Sequence, residues 1–275
     1  MLKLRRSRFP VLPTLLTLGN GTCGLMSIAV STSAPSGLGV TAAAFYAGVL
    51  IYAGMLFDTL DGHVARLAKQ TSEFGRQLDS LCDVITFGVA PVFVLLRFSH
   101  FYHYRFLWGI GVLFTLCVVL RLARFNVDAK TSENHAYFIG LPSPAAAGTI
   151  AAFAVAMPCI IHLNNPSVPE AMQQLGRSSV ELIMLCVPIL ACGLACLMVS
   201  RVRYPHIFKQ WFQGQRDFNH LVQLTFVVIL IVTIHELALP IIFCFFAFGR
   251  PVRLVWRKTG ALFIRRLPAL LRLHT

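Results

Sequence analysis

The chain has 275 residues, of which 56% are hydrophobic and only 13% are charged. Because soluble globular proteins usually carry about 25% charged residues, this composition excludes an ordinary soluble domain. A net charge of +13 would suggest a nucleic-acid partner in a soluble protein, but here the basic residues lie between apolar runs and mark the cytoplasmic side of a membrane. We therefore expect an integral membrane protein without a nucleic-acid partner.

Six apolar runs predict six membrane-spanning helices in the first part of the chain. A hydrocarbon core about 30 Å thick needs roughly 20 apolar residues per helix, and the runs are about that long. The second helix is expected to continue past the membrane surface. The predicted helices cover Val11–Ser31, Thr41–Ala68, Gly75–Arg97, Phe106–Arg124, Ser143–Leu163 and Val180–Ser200.

The last apolar run, Leu221–Phe248, is too long for one comfortable span and short for two. His235 and Glu236 lie in its middle, where a charged side chain costs about 2.5–3.5 kcal/mol on insertion scales. We predict two short helices that turn at these residues, which makes eight helices in all. One long kinked helix is the alternative.

The placement of basic residues predicts the orientation. With the N-terminus inside and eight helices, 21 of the 24 basic residues fall in inner segments, and only Arg97, Arg105 and Arg177 fall outside. This bias predicts cytoplasmic N- and C-termini. The chain then divides into a six-helix core (1–200), C-terminal membrane helices (201–248) and a basic cytoplasmic tail (249–275), which is either a surface-lying amphipathic helix or an ordinary positive-inside tail.

Four of the eleven acidic residues fall within a short stretch: Asp58, Asp61, Asp79 and Asp83. The first two are three positions apart and the last two are four apart, so each pair shares one face of a helix. Carboxylates inside a membrane are functional candidates by default. Four ionised carboxylates close together would repel one another unless a bound cation neutralised their negative charge. Ligand sets that contain only oxygen atoms, without sulfur or imidazole, suit Mg²⁺, Mn²⁺ or Ca²⁺.

Two other interpretations of these aspartates stay open on spacing alone. They could pair with Arg66, Lys69 and Arg76 at the membrane surface, which would explain one or two of them but not four at helical spacing. They could also belong to a cation transporter, which would move ions without depending on a lipid substrate.

The full pattern resembles the signature of the CDP-alcohol phosphotransferases. In this chain the signature reads Asp58-x-x-Asp61-Gly62-x-x-Ala65-Arg66, then eight residues, then Gly75-x-x-x-Asp79-x-x-x-Asp83, and every position matches. The resemblance covers roughly residues 10 to 200. It implies an all-α, polytopic transmembrane helix bundle, with six core helices plus one or two C-terminal helices, that transfers a phosphate-linked group from a CDP-lipid to an alcohol.

The resemblance also implies a role for each signature residue. Asp58, Asp61 and Asp79 would hold one or two Mg²⁺ or Mn²⁺ ions, with Asp83 near or sharing the second. Asp83 would also be the catalytic base that removes the proton of the acceptor alcohol. The CDP-lipid site would be formed by Asp58, Gly62, Ala65, Arg66 and Gly75. Homodimers are common in the family, so a homodimer is implied as well.

Five further stretches resemble the membrane-type bacterial phosphatidylserine synthases within this family: LPTLLTLGN from Leu12, DSLCDVITFGVAPV from Asp79, RLARFN from Arg121, FIGLPSP from Phe138 and VSRVRYPHIFK from Val199. This likeness implies CDP-diacylglycerol as donor, L-serine as acceptor, and a bacterial cytoplasmic membrane with the active site facing the cytoplasm. Another acceptor alcohol, such as glycerol 3-phosphate or inositol phosphate, is the alternative. The chain departs from the pattern at Thr14, where many relatives have Asn, at His63 and at Cys82.

The acceptor indicates a further set of candidate residues. Serine carries a carboxylate, which a cationic side chain would hold. Arg121 and Arg124 lie one turn apart at the inner end of the fourth predicted helix, and with Asn126 they are the predicted acceptor contacts. The alternative is that both arginines only anchor the helix end on the cytoplasmic side, where basic residues of membrane proteins accumulate. Ser143, between Pro142 and Pro144, is an additional candidate contact.

Overall fold

A computed structural model describes residues 11–32, 39–67, 72–98, 101–131, 137–166, 169–205, 237–253 and 256. Within these residues, six helices are long and apolar enough to cross a membrane, which makes the chain an integral membrane protein. They are α1 (Val11–Thr32), α2 (Val40–Leu67), α3 (Glu73–Phe98), α4 (Tyr104–Thr131), α5 (Ser143–His162) and α6 (Glu170–Val199). Residues 237–253 form a further helix, α7.

The predicted spans are confirmed, with differences at the helix ends. Helix α4 continues to Thr131 instead of ending at Arg124, and α6 begins at Glu170 instead of Val180. Both extensions are polar, so an apolar window does not detect them. On α4 the extension carries an ion pair one turn apart, with Arg124 Nε 3.8 Å from a carboxylate oxygen of Asp128. The predicted turn at His235 and Glu236 lies outside the described residues.

Helix α3 changes its winding along its length. It is α-helical over Glu73–Asp83, π-helical over Val84–Val89, α-helical again over Ala90–Leu95, and ends in a 3₁₀ turn at Leu96–Phe98. Its start is set by Ser72, whose hydroxyl accepts a hydrogen bond from the backbone N–H of Gly75 at 2.9 Å. The π-helical turn begins directly after Asp83, and such turns are frequent at functional sites.

Small residues let α2 and α5 approach closely. Ala43, Ala47, Ala147 and Ala151 are fully buried between the helices, and a Cβ on Gly48 would lie 2.9 Å from the carbonyl oxygen of Ala151. Small residues at a helix interface are typical of membrane bundles, where close packing replaces the hydrophobic driving force. Elsewhere on α1, α2, α4 and α6, large apolar side chains are exposed, as expected at a lipid-facing surface: Leu15, Leu25, Leu56, Leu116, Leu120 and Leu182.

A short β-ribbon connects the region before α5 with the end of α6. Strand β1 (Tyr137–Ile139) pairs antiparallel with β2 (Arg203–Pro205). The buried hydroxyl of Tyr204 donates to the carbonyl oxygen of Ala247 on α7 at 2.8 Å, and burial raises the pKa of Tyr204 to about 12. The ribbon therefore ties α6 and α7 to the segment that leads into Ser143.

Candidate active site

Three of the four signature aspartates converge between α2 and α3. Asp58, Asp61 and Asp79 each present one carboxylate oxygen, and these oxygens all lie within 4.8 Å of one another. Asp61 is buried, and the other two are half-buried. Helical spacing places Asp58 and Asp61 on one face of α2, and Asp79 joins them from α3, while Asp83 is not among the three grouped residues.

The surroundings of these carboxylates fit a divalent cation. Among the described residues, none of the four aspartates lies within 4.0 Å of an arginine or lysine nitrogen, and Arg76 pairs instead with Glu73 at 2.5 Å. Surface ion pairing with Arg66 or Arg76 therefore does not explain the cluster, while Lys69 lies outside the described residues. The Oδ1 atom of Asp79 is buried and has no hydrogen-bond partner in the described part of the chain. Three hard oxygen donors, one of them unsatisfied, match the ligand preference of Mg²⁺ and Mn²⁺.

Two side chains of α1 hold the aspartates, and the sequence analysis missed both. The hydroxyl of Thr17 donates to Asp61 Oδ2 at 2.7 Å, and the amide Nδ2 of Asn20 donates to Asp83 Oδ1 at 2.9 Å. Thr17 and Asn20 are buried and lie three positions apart, so they share one face of α1. That spacing of polar residues inside an apolar span was the signal that could have identified them.

A cavity of about 370 Å³ opens beside the clustered carboxylates. Four of the predicted CDP-lipid residues line it, namely Gly62, Ala65, Arg66 and Gly75, whereas Asp58 lies outside the lining and in the carboxylate cluster. The remaining wall residues come from α1, from α2, and from α3 with the residue that precedes it: Pro13, Thr14, Asp61, Ser72, Glu73, Arg76 and Asp79. Thr14, one of the departures from the family pattern, thus lies in the wall of this cavity.

Of the predicted acceptor residues, only Arg121 faces the aspartates. Its guanidinium interacts electrostatically with Asp83 and Asp58, and its Nη1 donates to the hydroxyl of Ser143 at 2.7 Å. Ser143 is fully buried at the first turn of α5. A cation held by a buried hydroxyl beside the acidic cluster is suited to bind a carboxylate.

The other two predicted acceptor residues have different surroundings. Arg124 is about 42% exposed and pairs with Asp128. Asn126 donates from Nδ2 to the hydroxyl of Ser80 at 2.8 Å, and its backbone carbonyl oxygen accepts from Nη1 of Arg76 at 3.3 Å. Asn126 lines a second cavity of about 390 Å³ between α3 and α4, together with Arg76 and Ser80. The structure therefore separates the three residues that the sequence analysis grouped.

Comparison with known proteins adds independent information. The chain matches the model of the CDP-alcohol phosphatidyltransferase family over residues 10–248. It is 34% identical over 197 residues to a CDP-diacylglycerol–serine O-phosphatidyltransferase of Helicobacter pylori, covering 72% of this chain and 73% of that protein. A protein of the same name from Bacillus subtilis is 31% identical over 203 residues, 72% of this chain and 92% of that protein. An archaetidylserine synthase of Methanothermobacter thermautotrophicus is 40% identical over 148 residues, 53% of this chain and 58% of that protein.

Proposed function

The chain belongs to the CDP-alcohol phosphatidyltransferase family, and we propose that it transfers the phosphatidyl group of CDP-diacylglycerol to the hydroxyl of L-serine. The products are phosphatidylserine and CMP. The observation that carries the proposal is the cluster of three carboxylates within 4.8 Å of one another beside a cavity of about 370 Å³. The names of the Helicobacter and Bacillus relatives support serine as the acceptor.

Asp58, Asp61 and Asp79 would hold one or two divalent ions, Mg²⁺ or Mn²⁺. Bound there, such ions would neutralise negative charge on the diphosphate of the donor. Thr17 fixes the carboxylate of Asp61 through its 2.7 Å hydrogen bond, and orienting contacts of this kind tune metal ligands.

The cavity would bind the cytidine diphosphate part of the donor. Gly62, Ala65 and Gly75 present little side chain there, so that the flat base and the diphosphate can approach the helix backbones. A Cβ on Gly62 would meet nothing closer than Arg66 Nη1 at 3.8 Å, which shows how open this wall is. Arg66 would supply positive charge to the diphosphate.

Asp83 would accept the proton of the serine hydroxyl as that oxygen attacks the phosphorus atom of the phosphatidyl group. One oxygen–phosphorus bond forms, the bond to CMP breaks, and the proton resides on Asp83. A base within hydrogen-bond reach is useful because a serine hydroxyl is a weak nucleophile at neutral pH. Arg121 would hold the carboxylate of serine, while Arg124 and Asn126 contribute less directly.

The proposal also includes the number of membrane-spanning helices and their orientation. We place the enzyme in a bacterial cytoplasmic membrane, with eight helices, both termini and the active site on the cytoplasmic side, and the chain divided at 200 and 248. The distribution of 21 of 24 basic residues supports this orientation. A homodimer stays a prediction from the family likeness.

The test is CMP release by the purified protein in detergent, supplied with CDP-diacylglycerol and Mg²⁺ or Mn²⁺. Serine, glycerol 3-phosphate, inositol phosphate and water would be compared as acceptors. We expect release that requires serine and metal, is lost in Asp83→Asn, and is kept in Asp128→Asn, a control carboxylate on the α4 extension. Release that requires a different acceptor would show that serine is not the acceptor, and the metal-dependent transfer from CDP-diacylglycerol would still stand.

A further inference from the structure

A buried polar contact joins α1 to α3 beside Asp83. Asn20 is fully buried, and its side-chain amide donates to Asp83 Oδ1 at 2.9 Å. The backbone carbonyl oxygen of the same asparagine accepts a hydrogen bond from the hydroxyl of Thr86, also at 2.9 Å. Thr86 is fully buried as well, and it lies in the π-helical turn that follows Asp83.

The bond made by Thr86 is unusual for a threonine in a helix. Such hydroxyls commonly donate to the carbonyl one turn earlier in their own helix, as Thr149 does to Ala145 at 2.7 Å. Thr86 instead donates across to α1. The π-helical winding of Val84–Val89 interrupts the regular carbonyl ladder at the point where this cross-helix bond forms.

Two glycines allow the three helices to meet at this point. A Cβ on Gly24 of α1 would lie 2.5 Å from Thr86 Oγ1, and a Cβ on Gly54 of α2 would lie 2.5 Å from Thr86 Cγ2. The Gly54 Cβ would also lie 3.0 Å from Asn20 Oδ1. The close approach of α1, α2 and α3 therefore restricts the positions that the side chains of Asn20 and Thr86 can adopt.

The chemistry of the amide limits what Asn20 can do to Asp83. A side-chain N–H₂ group only donates, so the oxygen that it contacts must accept in every protonation state of the carboxyl group. The carbonyl-type oxygen of a carboxylic acid accepts hydrogen bonds better than its hydroxyl oxygen does, so the bond from Asn20 to Oδ1 favours a proton on Oδ2 of Asp83. If packing alone were needed, an apolar side chain would fill this site without the cost of burying an amide.

We propose that Asn20 is a positioning residue for Asp83: it fixes Oδ1 and so leaves Oδ2 as the oxygen that takes the proton of the acceptor hydroxyl. Thr86 is a second positioning residue, because it holds the backbone of Asn20 against α3. The inference rests on the proposed function, in which Asp83 is the base, and it adds two residues outside the family signature to that machinery.

The main test compares Asn20→Leu, a variant of similar shape without the amide, with the wild-type enzyme. We expect kcat for serine-dependent CMP release to fall roughly 10- to 100-fold, within the range of general-base contributions, and KM for CDP-diacylglycerol to stay within about twofold. In an Asp83→Asn background, Asn20→Leu should not lower kcat further, because both changes remove the same function, proton transfer to Asp83. An independent loss in that background, or wild-type kcat in Asn20→Leu alone, would overturn the inference.

Thr86 provides a second test that does not alter Asn20. Thr86→Val keeps the side-chain shape and removes the hydroxyl, so kcat should fall roughly 3- to 10-fold, whereas Thr86→Ser should restore most of it. Thr149→Val, which removes an equally buried hydroxyl bonded within its own helix, should leave kcat unchanged. Equal activity of Thr86→Val and Thr86→Ser would contradict the role of this hydroxyl.

The outcome also separates this inference from the proposed function. If the wild-type enzyme releases CMP only with another acceptor, serine is wrong, and the same variants measured with that acceptor test Asn20 and Thr86. If the wild-type enzyme releases no CMP with any acceptor, both conclusions are overturned.

Discussion

The four signature aspartates differ in what surrounds each carboxylate. Asp61 accepts a hydrogen bond from Thr17, and Asp79 has a buried oxygen without a partner in the described residues. Asp83 is not one of the three grouped residues, and it accepts a hydrogen bond from Asn20. The proposed function assigns metal binding to Asp58, Asp61 and Asp79 and proton transfer to Asp83, as the family resemblance implies.

Arg121 is expected to determine how tightly the enzyme binds serine. Arg121→Met should raise KM for serine roughly 10- to 100-fold, because a hydrogen bond to a charged group contributes about 1.5–3 kcal/mol. KM for CDP-diacylglycerol should change little. Arg105→Met, an exposed arginine at the far end of the same helix, should keep KM for serine within about twofold, as surface substitutions usually do. A smaller effect at Arg121 than at Arg124 would contradict the separation seen in the structure.

The wall of the cavity at Gly62 is expected to contact the nucleotide of the donor. Gly62→Leu would extend a side chain into the space of about 370 Å³, since a Cβ there meets nothing closer than 3.8 Å. The variant should fold normally and lose CDP-diacylglycerol binding, which calorimetric titration and a thermal melt in the same detergent would show. Normal binding in a folded Gly62→Leu protein would place the nucleotide elsewhere.

Local spacing explains why the sequence predicted the aspartates and missed their partners. Residues three or four apart on a helix share a face whatever the rest of the fold does, so spacing predicted that Asp58 and Asp61 lie together on α2. The expectation that Asp79 joins them from α3 came from the family signature. Asn20 and Asp83 are 63 positions apart, and their contact depends on how α1 packs against α3. Sequence periodicity contains no information about that packing.

At the scale of the helices, hydropathy located the spans but not their ends or their winding. The six apolar runs were confirmed because a membrane requires continuous apolar helices of a fixed length. The polar start of α6 at Glu170 was missed, since it lies outside that apolar length. The π-helical turn Val84–Val89 was also missed, because the hydrogen bond from Thr86 to α1 forms only when the helices pack.

The close approach of α2 and α3 can be tested with one methyl group. Gly54→Ala would place a Cβ 2.5 Å from Thr86 Cγ2, and overpacking of this kind costs about 1–3 kcal/mol in the free energy of unfolding. A thermal melt in detergent should show the loss. Gly109→Ala on α4, where a Cβ meets nothing within 4 Å, is the matched control and should not destabilise the protein. Equal melting temperatures of Gly54→Ala and Gly109→Ala would show that α2 and α3 do not approach this closely.

At the scale of the whole molecule, charge and hydropathy together predict how the chain crosses the membrane. The structure confirms the helical membrane architecture, while the number of C-terminal spans and the orientation stay predictions, because residues 206–236 lie outside the described part of the chain. The prediction rests on the basic residues, since 21 of the 24 can lie on the inner side only if the number of spans is even.

Reporter fusions at the C-terminus test the topology. With eight helices and an inner N-terminus, a fluorescent protein fused after Thr275 should fluoresce, and alkaline phosphatase at the same position should be inactive. A matched pair of fusions after Thr32, in the predicted first outer loop, should behave in the opposite way. Active phosphatase at the C-terminus would indicate an odd number of spans.

The most direct test of the account is the transfer of radiolabelled L-serine into lipid by the purified enzyme with CDP-diacylglycerol and Mn²⁺. We expect labelled phosphatidylserine from the wild-type protein, loss of the product when the metal is chelated, and at least about 100-fold less product from Asp79→Asn and Asp83→Asn, in line with the loss of a metal ligand or a general base. Asp128→Asn should match the wild type. Labelled lipid that forms equally in Asp83→Asn, or that needs no metal, would contradict the proposed chemistry at this site.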